Sequence, residues 1–159
     1  MYRQVDDFVK DWEKARQGTI KTLEAITDEK LEQAIVEGHN TLGWIGWHMT
    51  TAPIYNAGLL GLTIDLPREI KSEPRSASKI VEGYKISSKQ VEEQVKENYT
   101  DKKLTENVDQ HGTPTPAGAI LRTLIDHQTH HRGQLTVLLR QAGLKVPGVM
   151  GPTKEDKQK

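Results

Sequence analysis

The run Asp126-His127-Gln128-Thr129-His130-His131-Arg132-Gly133-Gln134 holds three of the chain's six histidines. Helical geometry sorts them. At about 100° per residue, Ile120, Leu124, His127, His131, Leu135 and Leu138 fall in one band narrower than a right angle, so His127 and His131 point where core-facing leucines point. Imidazoles at i and i+4 can converge on one cation, because their Cβ atoms lie about 5–6 Å apart and metal–nitrogen bonds are about 2.0–2.1 Å long. Two ligands are too few. His48, set mid-face among Trp44, Ile45, Ala52 and Tyr55, is the candidate third. Three neutral nitrogen donors leave positions open for water or substrate, the pattern of a catalytic rather than a closed structural site.

Spacing alone leaves a second reading open, in which each histidine is a core residue satisfied by one hydrogen bond. The pairing weighs against it, since two adjacent unsatisfied imidazoles would each cost about 1–3 kcal/mol, a cost that a shared cation removes. The same spacing occurs in the H-E-x-x-H motif of zinc proteases, whose glutamate is the general base. Gln128 occupies that slot here, and an amide accepts no proton at neutral pH, so that hydrolytic mechanism is not expected. His130 falls to one side of the band in line with Asp126, which predicts a local Asp126–His130 contact. Asp126 is too far round the helix to serve as a base at the cluster. Arg132 is read as facing solvent or a partner subunit, with an anionic substrate as the alternative. His39 and His111, each beside a glycine, are expected on exposed loops.

Amphipathic elements must position these residues. Val5, Phe8, Val9, Trp12, Ala15, Thr19 and Leu23 recur at three- and four-residue steps and predict a first helix over about 5–26. Gly38-His39-Asn40 supplies a turn, and Asn40 or Thr41 can cap a second helix over about 42–60. Pro53 removes one backbone donor from it, which predicts a kink or break one turn beyond His48. Residues 65–75 read as a connecting loop. A third helix begins near Ser76 or Ser78 and carries Ile80, Val81, Tyr84, Val91, Val95 and Tyr99 as its apolar stripe. Residues 100–115 form a second long connection with an irregular or short extended piece. In the last helix Thr115 is expected as the cap, Pro116 as the first residue and Gly143 as the stop. The result is an all-α four-helix bundle with two long connections, over residues 1–152 as a single domain. The charged tail 153–159 is expected to be disordered.

Composition narrows the function classes. A chain of 159 residues fits one ordinary core. With no cysteine, disulfides, thiolate ligands, iron–sulfur clusters and a cysteine nucleophile are excluded, and any metal is held by histidine or oxygen. Lys and Arg number 22, as do Asp and Glu, so no bulk charge favours nucleic acid or an anionic membrane. The charges scattered through MYRQVDDFVKDWEK do not suit a secretory signal, and a cytoplasmic location is expected. Residues 41–64 lack Asp, Glu, Lys and Arg, yet His48, Pro53, Asn56 and several threonines and glycines suit a buried helix better than a membrane span.

The segment TLGWIGWHM and the block TPAGAILRTLIDHQTHHRGQLTVLLRQAGLKVPG, with its H-x-x-H-H-R-G-Q run followed by L-L-R-x-x-G, resemble the DinB/YfiT-like superfamily over nearly the whole chain. The resemblance implies a four-helix bundle with a divalent metal, nickel or zinc foremost, held by three histidines that fall at His48, His127 and His131. It also implies a homodimer, a small-molecule substrate and, by analogy with bacillithiol- and mycothiol-dependent relatives, a low-molecular-weight thiol as co-substrate. An open divalent site would lower the pKa of water or thiol and so suits thiol transfer to small electrophiles. The alternatives are a non-catalytic bundle stapled by its metal and an interaction module using Trp44 or Trp47 as a dimer surface.

Overall fold

The computed structural model describes residues 1–70 and 76–157. Four long helices, α1 (Val5–Glu24), α2 (Leu42–Leu59), α3 (Ala77–Asn98) and α5 (Ala117–Gln141), form a bundle in which α1 and α2 each pack against both α3 and α5. The expected helical bundle is therefore the fold. A short α4 (Asp101–Leu104) and an antiparallel hairpin, β1 (Asn107–Gln110) and β2 (Thr113–Pro116), fill the second long connection. The hairpin turns on His111 and Gly112 with φ of 55° and 82°, the double positive φ of a type I′ turn. The first connection leaves α2 through a turn at Leu60 and Gly61, φ 70° at the glycine, and buries Leu60, Leu62, Ile64 and Leu66 at alternate positions before a 3-10 turn at Arg68–Ile70. The remainder of the predicted 65–75 loop, 71–75, and the end of the predicted disordered tail, 158–159, lie outside the described residues.

Local signals held at some helix ends and yielded to tertiary contacts at others. The Thr41 hydroxyl accepts the Trp44 amide at 3.1 Å and caps α2, and Gly143 takes the left-handed conformation, φ 74°, just beyond α5. Ser76 stands at the N-cap of α3 as expected, but neither its hydroxyl nor that of Ser78 caps a helix amide. Asp28, distant in sequence, accepts the Ala77 amide at 2.7 Å, and Asp101 does the same for Val5 at 2.8 Å. Thr115 and Pro116 close β2, so Pro116 is the N-cap of the last helix rather than its first residue, and the first helical amide, Ala117, donates to the Glu106 carbonyl at 2.9 Å. Pro53 breaks nothing: α2 continues through it to Leu59. Around it Met49, Pro53 and Ala57 are buried, and the Thr50 and Thr51 hydroxyls donate to carbonyls one turn back.

Two apolar clusters make the core. One contains Leu23, Leu42, Ile45, Met49, Ile80, Leu135 and Leu138; the other contains Phe8, Trp12, Ala57, Val91, Leu104, Ile120 and Leu124. On α5 the positions from Asp126 to Gln134 belong to neither cluster, and they carry His127, Gln128, His131 and Arg132. The chemistry-bearing residues therefore form a polar layer at mid-bundle. Buried Gln128 accepts the hydroxyls of Thr19 on α1 and Tyr84 on α3, each at 3.0 Å, tying three helices through one amide oxygen.

Candidate metal centre

α2 delivers His48 and α5 delivers His127 and His131, and the three rings converge. His127 Nε2 lies 3.0 Å from His48 Nε2 and 3.1 Å from His131 Nε2. Among the described residues these three form the group of potential ligands that could hold a metal ion, and it contains no carboxylate. The fit can be tested on the donors. The Gln134 side-chain oxygen stands 2.7 Å from His131 Nδ1, and an oxygen of that kind can only accept, so Nδ1 carries the proton and Nε2 of the neutral ring presents a bare lone pair. Nitrogens about 2.0–2.1 Å from one cation sit about 3 Å from one another, which is the spacing of His127 Nε2 from each of the other two. His127 Nδ1 is buried without a partner. The donor set, its spacing and its tautomer fit a divalent cation.

The electrostatics keep the donors neutral. Burial, reinforced by repulsion from His131, His48 and His130, pushes His127 down to about 4. Burial lowers His48 too, and lowers His131 against the opposing effect of its bond to Gln134. The Trp44 indole stacks on the His48 ring with centroids 4.9 Å apart and planes 11° from parallel, which fixes the ring's plane. A cavity of about 240 Å³ lined by Ile35, Asn40, Ile45, Gln134, Val137 and Leu138 adjoins this arrangement through Gln134.

Several expectations around the centre are corrected. The predicted face of α2 is not all core, since Trp44 and Tyr55 are exposed while Leu42, Ile45, Met49, Pro53 and Ala57 turn inward. Asp126 does not meet His130. Its carboxylate pairs with Arg122 at 2.7 Å, and His130 packs its ring edge-on to His131 at 4.8 Å. Arg132 faces neither solvent nor a partner subunit but is buried against α1. His39 is exposed as expected, at the edge of the cavity beside Gln134. His111, also exposed, stacks on Tyr55 and hydrogen-bonds its hydroxyl, two turns along α2 from His48 and outside the cluster. Sequence reasoning missed Gln134, although its i+3 spacing from His131 was the available signal.

The DinB family model matches residues 1–159. The chain belongs to the DinB family. A Bacillus subtilis (strain 168) relative, the uncharacterized protein YrdA, is 42% identical over 156 residues, covering 98% of this chain and 93% of YrdA. A DinB-like protein from Bacillus cereus ATCC 10987 superposes with a TM-score of 0.87 at 42% identity, covering 94% of this chain and 99% of that one. YjoA, a DinB-like protein of Bacillus subtilis, matches at a TM-score of 0.71 and 20% identity over 92% of this chain and 99% of its own, a likeness of fold. For this DinB protein no helix among the described residues is long and apolar enough to cross a membrane.

Proposed function

We propose that this DinB protein is a divalent-metal-dependent enzyme that transfers a low-molecular-weight thiol to a small electrophile. The supporting observation is the convergence of three imidazoles from two helices, with His127 Nε2 3.0 Å from His48 Nε2 and 3.1 Å from His131 Nε2. His48, His127 and His131 would hold the ion, and zinc or nickel suits an all-imidazole set. When bound, a divalent cation supplies Lewis acidity that lowers the pKa of a thiol or water near it. The remaining work falls to the chain. Gln134 keeps His131 in the donor tautomer, Trp44 keeps the His48 ring in plane, and burial keeps all three rings unprotonated at neutral pH. Ile35, Ile45, Val137 and Leu138 line the adjoining cavity with apolar surface suited to the body of a small electrophile.

Elemental analysis of the wild type and of His48→Ala, His127→Ala and His131→Ala tests the centre. Loss of the metal from each variant is expected, and full retention in all three discards the assignment. Thiol-dependent conjugation of a panel of electrophiles, with chelator and after reconstitution with zinc or nickel, tests the chemistry. A metal-retaining protein with no metal-dependent turnover over a broad panel would instead be a bundle whose histidines staple α2 to α5.

A further inference from the structure

Arg132 follows His131 in sequence but lies about 100° further round α5, so it faces α1 where His131 faces α2. It is 6% exposed. A guanidinium keeps its charge in a protein, and burying that charge is costly unless an opposite charge compensates it. None does. Among the described residues Arg132 joins no ion pair, and its acceptors are neutral. Nη1 donates to the Ala15 carbonyl at 2.9 Å and the Thr19 hydroxyl at 3.4 Å, and Nη2 donates to the Thr129 hydroxyl at 3.3 Å. Of the five N–H donors of a guanidinium, Nε–H and one Nη2–H are unspent.

Arg132 also lines a cavity of about 380 Å³ between α5 and the segment 146–153. Small-molecule sites occupy about 300–1,000 Å³, so the space holds more than a few waters. The segment lies close because Gly18 has no side chain: a Cβ there would come within 2.7 Å of Val149 Cγ1. Val146, Val149 and Met150 supply apolar wall. The hydroxyls of Thr129, Thr136 and Thr153 donate to the carbonyls of Ile125, Gly133 and Val146. Arg140, also on the lining, is held by Glu155 through Nε at 2.9 Å and Nη2 at 3.4 Å. Among the described residues no Asp or Glu is on the lining to face Arg132.

The geometry points to a second site, separate from the histidine centre, that binds a small organic oxyanion. Its carboxylate or phosphate oxygens accept from Arg132, and its apolar body rests on Val146 and Val149. Such charge-assisted bonds are the strong ones, and arginine's planar fork matches both oxyanions. The site leaves the three imidazoles free, so anion binding does not depend on the metal.

Calorimetric titration of the full chain after chelation tests this, with benzoate and phenyl phosphate as probes and benzamide as the neutral control. Saturable binding of one molecule per chain is expected for at least one anion and none for benzamide. The two anions show whether carboxylate or phosphate is preferred. His127→Ala should bind as wild type does. Arg132→Met should bind at least about tenfold more weakly. Gly133→Phe keeps Arg132 and fills the cavity from a lining glycine with no atom near its absent Cβ, so it should abolish binding and decides the matter if Arg132→Met does not fold. Absence of saturable anion binding in the wild type overturns the proposal, as does undiminished binding in Gly133→Phe. Either result would leave Arg132 a strut between α5 and α1.

Discussion

Replacing Gln134 by alanine removes a partner of the proposed centre without touching a ligand. Gln134 is exposed, and among the described residues its side chain makes one hydrogen bond, to His131 Nδ1 at 2.7 Å. The fold should be unaffected, because exposed substitutions of this kind change stability by about 0.5 kcal/mol or less. Loss of the outer partner of a metal-ligating histidine weakens affinity about 10–100-fold, or about 1.4–2.7 kcal/mol. Water can take the vacated place beside Nδ1 at an exposed position, which sets the expectation at the lower end, about tenfold. Gln134→Glu should act in the opposite sense. A carboxylate accepts the Nδ1 proton more strongly and makes Nε2 a better donor, so affinity should match or exceed the wild type. Competition titrations of zinc against a chromophoric chelator, with circular dichroism as the control on folding, give the comparison directly. Equal affinity in Gln134→Ala and wild type, in a protein whose His127→Ala variant has lost the metal, would refute the orienting role. A wild type that takes up no metal would refute the centre itself.

Other outcomes follow from the same geometry. Because Trp44 stacks on His48, added nickel should quench its fluorescence, and Trp44→Phe should reduce the quenching, leaving that of Trp47, while Trp12, fully buried in the far cluster, contributes little. Gln128→Leu strands the Tyr84 hydroxyl and should destabilise the bundle by about 1–3 kcal/mol in urea denaturation, with Tyr84→Phe in the same chain recovering much of it. Additive losses would show that the two side chains are independent. A Cβ at Gly118 would collide with the Tyr2 carbonyl oxygen, so Gly118→Ala should cost about 1–3 kcal/mol and free the first residues for proteolysis. His127 is depressed from 6.5 to about 4, so the folded metal-free chain binds fewer protons than the unfolded one between those values. Its stability should be full above about pH 6.5 and fall as the pH drops toward 4. A metal-free urea midpoint that holds or rises over that interval contradicts the burial of His127.

Periodicity and spacing suffice for a good part of this molecule. The i, i+4 relation of His127 and His131 is local and fixes their common direction in any helix, and the stripe from Ile120 to Leu138 says which way that is. Gly143 and Thr41 end and begin helices by backbone chemistry that neighbours in sequence control. A helical wheel gives angles between side chains but not the absolute rotation of a helix among its partners. That is why Trp44 and Tyr55 share a face with His48 yet reach solvent, and why Arg132, set between two core clusters, is buried despite its charge. Asp126 had arginine one turn before it and histidine one turn after, and the choice of Arg122 depended on where His130 packed. The caps from Asp28 and Asp101 join residues far apart in the chain, so no local pattern announces them. Sequence thus settled which side chains can act and how those on one helix are disposed to each other. The approach of His48 across the bundle, the bond from Gln134 and the neutral lodging of Arg132 are tertiary, because each depends on how helices rotate and slide until two apolar clusters close around a polar layer.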